Sequence, residues 1–243
     1  MRKLPLLYQD EHLVAVNKPS GLLVHRSDIA CRETENAMKL VRNQLRQWVY
    51  PFHRLDRSTS GVLVFALDPE TARRMTQLFT EHAVSKQYLA VVRGYTREEE
   101  RIDHPLKEHQ DRMTGQKADK DKPGQEAVTV SRLLGTVELP HPVGPYATAR
   151  YSLVRVNPLT GRNHQIRRHL KHIFHPVVGD TTYGDGRHND FFRKNFNCRR
   201  LLLHASAIEF IHPHTRAQMV IRAPLDDAFR TLLKALDWGA IAI

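Results

Sequence analysis

The chain has 243 residues, 41% hydrophobic and 26% charged, a composition that supports a globular core and excludes wholesale disorder, a collagen-like fibre and a disulfide-stapled miniprotein. Lys and Arg number 37 against 26 Asp and Glu, a formal charge of +11, which points to a polyanionic partner, nucleic acid being the commonest. The longest apolar run, Val62 to Leu67, is far short of the roughly 20 residues of a membrane helix. Met1-Arg2-Lys3 is a basic start, but Gln9, Asp10 and Glu11 interrupt the apolar stretch behind it, so there is no signal-peptide core. The two cysteines, Cys31 and Cys198, have neither disulfide-framework nor metal-ligand spacing, and a reducing cytoplasm is expected.

In chain order, Leu6-Leu7-Tyr8, Leu13 to Val16 and Leu22-Leu23-Val24 are short β-type runs separated by Asp-Glu-His and Pro-Ser-Gly, the pattern of a meander. Thr34 to Trp48 follows with Ala37, Leu40, Val41, Leu45 and Trp48 near helical period, predicting an amphipathic helix. Phe52 to Leu55 and Gly61 to Leu67 read as two strands around the polar turn Asp56-Arg57-Ser58-Thr59-Ser60. Asp68 as N-cap and Pro69 at the first helical position open a helix through Phe79. Further strands are predicted at Tyr88 to Val92, Val128 to Leu133, Ala149 to Val156, Leu201 to Phe210 and Gln218 to Arg222. A final helix, capped by Asp226 or Asp227, carries Phe229, Leu232, Leu233 and Leu236 on one side. Lys107 to Glu126 holds five basic and five acidic residues with almost no apolar side chain, and reads as a long mobile loop. Short strand connections favour antiparallel pairing and an α+β sheet with flanking helices. No linker divides the chain, so residues 1–243 are read as a single domain.

Charge is segregated. Between Glu35 and Asp68 the only acid is Asp56, amid Lys39, Arg42, Arg46, Arg54 and Arg57. From Leu139 to Gly179 there is no acid, while Arg150, Arg155, Arg162, Arg167, Arg168 and Lys171 all fall within. Two basic blocks brought together by folding make a positive cleft. Chemistry concentrates in three places. In His53-Arg54-Leu55-Asp56-Arg57-Ser58-Thr59-Ser60-Gly61, a lone carboxylate among cations is expected to have a depressed pKa and to serve as nucleophile or base, held by an Arg. The same pattern also suits an aspartate that fixes a turn, with Gly61 relieving backbone strain. In Thr160 to Ile173, Ile166, Leu170 and Ile173 share a helical face, Arg167 lies at its border, and Arg168 and Lys171 face outward towards phosphates, a pattern that equally suits a solvated basic face. The third is the set His164, His169, His172 and His175, which lacks HExxH spacing and a clear carboxylate partner, so no metal site is expected. No GxGxxG or Walker loop is present. Tyr88, on an alternating strand after Lys86, by itself suits core or sheet surface.

The segment His53 to Gly61 resembles the catalytic-loop signature of the RluA-type pseudouridine synthases. Upstream, Val16-Asn17-Lys18-Pro19-Ser20-Gly21-Leu22-Leu23-Val24-His25 resembles that family's first motif. Downstream, Lys86-Gln87-Tyr88-Leu89-Ala90, Thr160-Gly161-Arg162-Asn163-His164-Gln165-Ile166-Arg167, His175-Pro176-Val177-Val178-Gly179-Asp180 and Leu201-Leu202-Leu203-His204-Ala205 follow in the family's order. The resemblance implies a bent, mixed, mostly antiparallel sheet with flanking helices and a central catalytic cleft. It also implies a cofactor-free isomerisation, in which a uridine in RNA is detached from its ribose, rotated and rejoined through carbon 5. By motif position, Asp56 is the nucleophile, Tyr88 stacks on the target base and serves in proton transfer, and Arg167 partners the Asp56 carboxylate. Arg57 fills the space of the flipped base. Arg54, Arg57, Arg162, His164, Arg168 and Lys171 are the candidate RNA-binding residues.

The expected partner is RNA, with tRNA preferred to ribosomal RNA and uridine 65 of the T-stem as the target, because Val137-Glu138-Leu139-Pro140 and Tyr146-Ala147-Thr148-Ala149-Arg150-Tyr151 resemble relatives of that specificity. No cofactor, metal or membrane is expected, nor the N-terminal S4-type RNA-binding domain that many relatives carry. Nothing demands a partner chain, so a cytoplasmic monomer is expected. Two other classes make different demands. A non-catalytic RNA-binding protein has no need of Asp56, and a metal-dependent nuclease or phosphatase would use the histidines and Asp180.

Overall fold

A computed structural model describes residues 2–25, 35–108 and 123–241. In chain order its elements are β1 (Leu6–Gln9), β2 (Leu13–Lys18), α1 (Ala37–Leu45), β3 (Tyr50–Pro51), β4 (Ser60–Ala66), α2 (Pro69–Thr80), β5 (Ser85–Arg93), β6 (Glu99–Asp103), β7 (Val128–Leu139), β8 (Ala149–Pro158), α3 (Gln165–His172), α4 (Gly186–Phe196), β9 (Leu203–Ile211), β10 (Gln218–Arg222) and α5 (Asp227–Ala235). This is the α+β class expected from the sequence. Contacts divide the chain into two units, Met1–Lys86, Leu106–Gln125 and Ala207–Pro224 in the first, and Gln87–Pro105, Glu126–Ser206 and Leu225–Ile243 in the second. The sequence has no linker at which this division could be read, because the chain passes back and forth between the units.

In the first unit, β1 and β2 form a hairpin whose turn is fixed by Asp10: its Oδ1 accepts the N–H groups of His12 and Leu13 at 2.8 and 2.7 Å. β2 pairs antiparallel with β4, Leu13 opposite Ala66 and Lys18 opposite Gly61. All seven residues of β4 are buried, the physical reason it reads as an unbroken apolar run rather than an alternating one. Residues of β2 and β4 pack with Met75 of α2 and with Ile208 and Phe210 of β9 in one apolar cluster. Residues 207–211 of β9 pair antiparallel with β10. Asp68 caps α2 as expected, accepting the N–H of Thr71 at 2.8 Å, with Pro69 in the first turn.

Three sequence expectations fail in this unit. Leu22 to Val24 form no strand: the carbonyls of Leu23 and Val24 accept the N–H groups of Ala37 and Met38 at the start of α1, and that of Leu22 accepts from Lys18. Phe52 to Leu55 form no strand either. The two-residue β3 pairs with β4 instead, and beyond it the His53 imidazole, rather than a backbone carbonyl, accepts the N–H of Val64 at 2.9 Å. The first helix stops at Leu45, short of Trp48, because Arg46 adopts a left-handed conformation, φ 56°. Its predicted start, Thr34, lies outside the described residues, as does Cys31.

In the second unit, β8 pairs antiparallel with β5 on one side, Tyr88 opposite Val156, and with β7 on the other. β6 pairs with β7. β7 extends to Leu139, well past the predicted end at Leu133, through an irregularity between Leu133 and Gly135. Asp226 caps α5, and Phe229, Leu232, Leu233 and Leu236 are all buried, as their spacing predicts. β6 and α4 were not anticipated. β6 reads Glu-Glu-Arg-Ile-Asp, with one buried apolar residue, and α4 hides its inner face because two of its buried residues, His188 and Asn189, are polar. Of the predicted loop from 107 to 126, residues 109–122 lie outside the described residues; Leu106 and Gln125 bridge its ends. Among the described residues no helix is long and apolar enough to cross a membrane.

Candidate active site

Asp56 sits in the first unit on a turn between β3 and β4, closed by the Thr59 N–H to the Asp56 carbonyl at 3.1 Å. Gly61, at φ 115°, returns the chain to β4 through a conformation that a Cβ disfavours. A second segment fastens the turn. Lys18, at the end of β2, is fully buried, and its ammonium donates to the carbonyls of Pro19, Leu22 and Arg57 at 3.1, 2.8 and 3.1 Å. Its three donors thus match three acceptors, the condition under which an ammonium tolerates burial. Ser20 Oγ donates to the Ser58 carbonyl at 2.7 Å, the Gly21 N–H donates to the Arg57 carbonyl at 2.8 Å, and Arg57 Nε donates to the Gly21 carbonyl at 3.0 Å. The residue after Asp56 is therefore tied at its carbonyl and its side chain. Asp56 itself is half-buried, Arg54 and Arg57 exposed.

His53 is held neutral: burial, and then the charge of Lys86, push its pKa down to about 3. A neutral ring with an unprotonated Nε2 is what the Val64 N–H requires as acceptor.

In the second unit, the segment leading into α3 is organised around the buried Gln165. Its Oε1 accepts from Thr160 Oγ1 and the Arg162 N–H at 2.7 and 2.9 Å, and its Nε2 donates to the Val128 carbonyl and Thr129 Oγ1. Ile166 and Leu170 are buried and Ile173 packs beside them, the apolar face that the periodicity predicts. Tyr88 is half-buried against the same cluster. Arg167 departs from its predicted border position. It is buried, and its Nε and Nη2 donate side-on to Asp180 Oδ2 and Oδ1 at 2.7 and 2.8 Å. Asp180 Oδ1 also accepts the N–H groups of Thr182 and Tyr183, both at 2.9 Å. Burial pushes the Asp180 carboxyl up, but Arg167 and these N–H groups outweigh it and hold the carboxyl below its ordinary value. The Asp180 carbonyl accepts from Asn189 of α4 at 2.8 Å. A guanidinium carries five N–H donors, and Asp180 takes two of them while fixing its plane.

Tyr183 gathers the surrounding basic side chains. The Arg167 guanidinium lies 5.1 Å from its ring centre, Lys171 Nζ lies 5.9 Å from it, and His164 Nδ1 is 3.1 Å from its hydroxyl. His164 has a left-handed backbone, φ 54°. Lys171 is exposed and Arg168 half-buried; Arg162 Nε donates to the Glu126 carbonyl at 3.0 Å. Asp56, Arg54 and Arg57 thus belong to the first unit, and Tyr88, Arg162, His164, Arg167, Arg168 and Lys171 to the second.

Lys18, Ser20 and Gln165, which fasten these segments, are not among the candidate residues that the sequence points to, and Asp180 enters there only as the carboxylate of a metal-dependent hydrolase. All four fall inside the motifs quoted above, so the signal was present, but burial was needed to reveal their work. Among the described residues the four histidines of the third region form no group able to hold an ion. His169 bonds Thr129 and the His104 carbonyl, His172 stacks on His104 with centres 3.7 Å apart, and His175 bonds the Arg93 carbonyl. Asp180, the carboxylate that a metal-dependent hydrolase would use, is occupied by Arg167. The ligand atoms of His12, Asp68 and His214 do lie within 4.8 Å of one another. There the two rings lie face to face, 3.7 Å apart and 6° from parallel, and both Asp68 oxygens accept from Thr71. The stack joins the β1–β2 turn to the β9–β10 turn, and His214 Nε2 lies 2.8 Å from Thr71 Oγ1 at the start of α2.

A sequence model of the family described as RNA pseudouridylate synthase matches residues 12–172. Among similar proteins, tRNA pseudouridine synthase C of Vibrio cholerae is 51% identical over 235 residues, covering 97% of this chain and 96% of the relative. The protein of the same name from Haemophilus influenzae is 50% identical over 97% of this chain and 98% of its own length. Among solved structures, human RNA Pseudouridylate Synthase Domain Containing 4 aligns with a TM-score of 0.72 at 25% identity, covering 96% of this chain and 93% of that one. Human RNA Pseudouridylate Synthase Domain Containing 1 shares the fold, with a TM-score of 0.69 at 24% identity over 99% and 97%. The segments carrying Asp56, Tyr88 and Arg167 all fall within the matched residues, and the chain belongs to the RluA-type family of RNA pseudouridine synthases.

Proposed function

We propose that this pseudouridine synthase acts on tRNA and isomerises a single uridine, uridine 65 of the T-stem. In this reading Asp56 supplies the nucleophilic carboxylate, Arg167 is its partner, and Tyr88 stacks on the target base and takes part in proton transfer. The uridine leaves its helix before reaction, because chemistry on a base requires taking it out of the stack, at a cost of a few kcal/mol. Asp56 promotes cleavage of the bond between N1 and ribose carbon 1′; the uracil turns, carbon 5 bonds to carbon 1′, carbon 5 loses its proton and N1 gains one. Atoms balance and no electrons are exchanged, so no redox cofactor is called for. Arg54, Arg57, Arg162, His164, Arg168 and Lys171 meet phosphates of the RNA, and Arg57 takes the place of the flipped base. A cytoplasmic monomer free of metal and cofactor suffices for this chemistry.

The observation that carries the reading is the clamped turn. The sole acid of a basic block is mounted on a loop fastened by Lys18 and Ser20, a preorganisation that a nucleophile needs and a merely solvated aspartate does not. The tRNA assignment rests on relatives 47–51% identical that are named tRNA pseudouridine synthase C.

The test is pseudouridine mapping of total RNA from cells with and without the gene. A site lost from the tRNA T-stem supports the proposal; a site lost only from ribosomal RNA replaces the substrate. Asp56→Asn should abolish pseudouridine formation while tRNA binding persists. Turnover by that variant at the normal rate would remove Asp56 from the chemistry and favour a non-catalytic role for the turn.

A further inference from the structure

The five-residue recess after α1 is left unexplained by the proposed chemistry. Periodicity placed Trp48 on the buried face of a helix; in the structure the helix has ended and Trp48 is 63% exposed. The left-handed Arg46 makes the turn, with its own N–H and that of Gln47 both donating to the Arg42 carbonyl. This reversal lays the Arg42 guanidinium 3.2 Å from the centre of the indole ring, six residues along the chain. Arg42, Asn43, Arg46, Gln47 and Trp48 line an open recess of about 470 Å³ with no carboxylate in its wall.

Stability does not account for this arrangement. An indole this exposed has removed little apolar surface from water, and an exposed cation–π pair is worth about 0.5–1 kcal/mol. Against that stands a non-glycine residue in the left-handed region, which costs roughly 1 kcal/mol. What the geometry achieves is orientation. A guanidinium over one face fixes the ring, and the exposed remainder is a flat apolar surface flanked by two permanent positive charges and two amides. Bases stack on such a surface irrespective of sequence, and Arg meets the adjoining phosphates. A base already paired inside a duplex has both faces covered by its neighbours, whereas a loop or bulge nucleotide has a face to offer.

We propose that Trp48, Arg42 and Arg46 form a nucleotide-binding platform on which an unpaired base of the tRNA stacks, its phosphates pairing with the two arginines. The platform rests on the reading of this chain as a tRNA-binding enzyme and adds to it a contact outside the catalytic motifs.

The chain has two tryptophans, and the other, Trp238, is 3% exposed, so Trp48 reports on its own site. Unmodified tRNA transcript is titrated into the wild type, Trp48→Phe, Trp48→Ala and Arg46→Gln, following tryptophan emission, acrylamide quenching and pseudouridine formation. In the wild type, tRNA should quench emission and shield the indole from acrylamide. Trp48→Phe should lose this response while keeping affinity within a few-fold, since a phenyl ring also stacks. Trp48→Ala should weaken tRNA binding roughly 5- to 150-fold, the range for loss of one stacked base, with a melting temperature lowered by no more than about 4 °C. Arg46→Gln should weaken binding and lower its salt dependence by about one phosphate contact. A wild-type Trp48 equally open to acrylamide with and without saturating tRNA, together with unaltered affinity in Trp48→Ala, overturns the platform alone if pseudouridine still forms. A wild-type protein that neither binds nor modifies tRNA overturns the platform and the tRNA reading together.

Discussion

Asp180 and Lys18 show how much of the candidate site is held together by side chains outside the proposed chemistry. Asp180 is buried with its carboxylate shared among Arg167 and two backbone N–H groups. Removing its charge leaves a buried guanidinium without its side-on partner, and such losses run to about 3–5 kcal/mol. Asp180→Asn should destabilise the protein by that order at pH 7, measured by urea denaturation. Because folding lowers the Asp180 pKa, its contribution is full above the ordinary carboxylate value of about 3.9. It is lost as pH falls through the lower folded-state value, so the gap between wild type and variant should close in strong acid. His53 works over a higher window. Its pKa falls from 6.5 to about 3 on folding, so folding favours the neutral ring. Its contribution is complete above pH 6.5 and drains away as pH falls towards 3. His53→Gln retains an acceptor for Val64 and does not titrate; its stability should be flatter than wild type between pH 6.5 and 3, and equal slopes would remove His53 as the cause.

Elements are decided by where their ends find hydrogen-bond partners. The carbonyls of Leu23 and Val24 look like strand in sequence yet serve the first turn of α1, and the Lys18 ammonium joins the end of β2 to the Asp56 turn. Lys18→Met keeps most of the packed stem and deletes the charge, leaving the Leu22 carbonyl without its buried bond and the Arg57 carbonyl with the Gly21 N–H but not the ammonium. A loss of about 2–4 kcal/mol is expected, together with a fall in turnover greater than the fall in tRNA affinity, because the clamp positions Asp56. Equal kcat with weakened binding would show that the clamp holds RNA-contacting residues instead. The link between α3 and α4 is equally tight. Gly179 has φ 81°, and a Cβ there would stand 1.9 Å from the Arg200 carbonyl oxygen. Gly179→Ala should cost about 3 kcal/mol or more, a drop in Tm of roughly 10 °C for a chain of this length.

For the whole molecule, the +11 charge becomes a prediction about salt. If about six of the basic residues meet phosphates, tRNA affinity should fall on the order of 10³-fold between 50 and 200 mM monovalent salt. A shallow dependence would assign the charge to solvated surface. The sequence by itself determined the α+β class, the helix capped by Asp68, a last helix capped by Asp226 or Asp227, and the apolar strand from Gly61 to Leu67, because these follow from local periodicity and from hydrogen bonds spanning three or four residues; the structure chose Asp226. It also displayed the family's motifs in order, and with them Asp56, Tyr88 and Arg167. What only the tertiary structure decided is which residues hold the Asp56 turn and Arg167 in place and which surfaces remain exposed. Asp180 lies 13 positions from Arg167, and Lys18 lies 39 positions from Arg57; neither separation has a period that a sequence reading could detect. Trp48 fits the helical repeat and still stands outside the core, since one left-handed residue ends the helix before reaching it. Periodicity reports which side chains could share a face; whether that face is covered depends on partners distant in sequence and on the turn that delivers them.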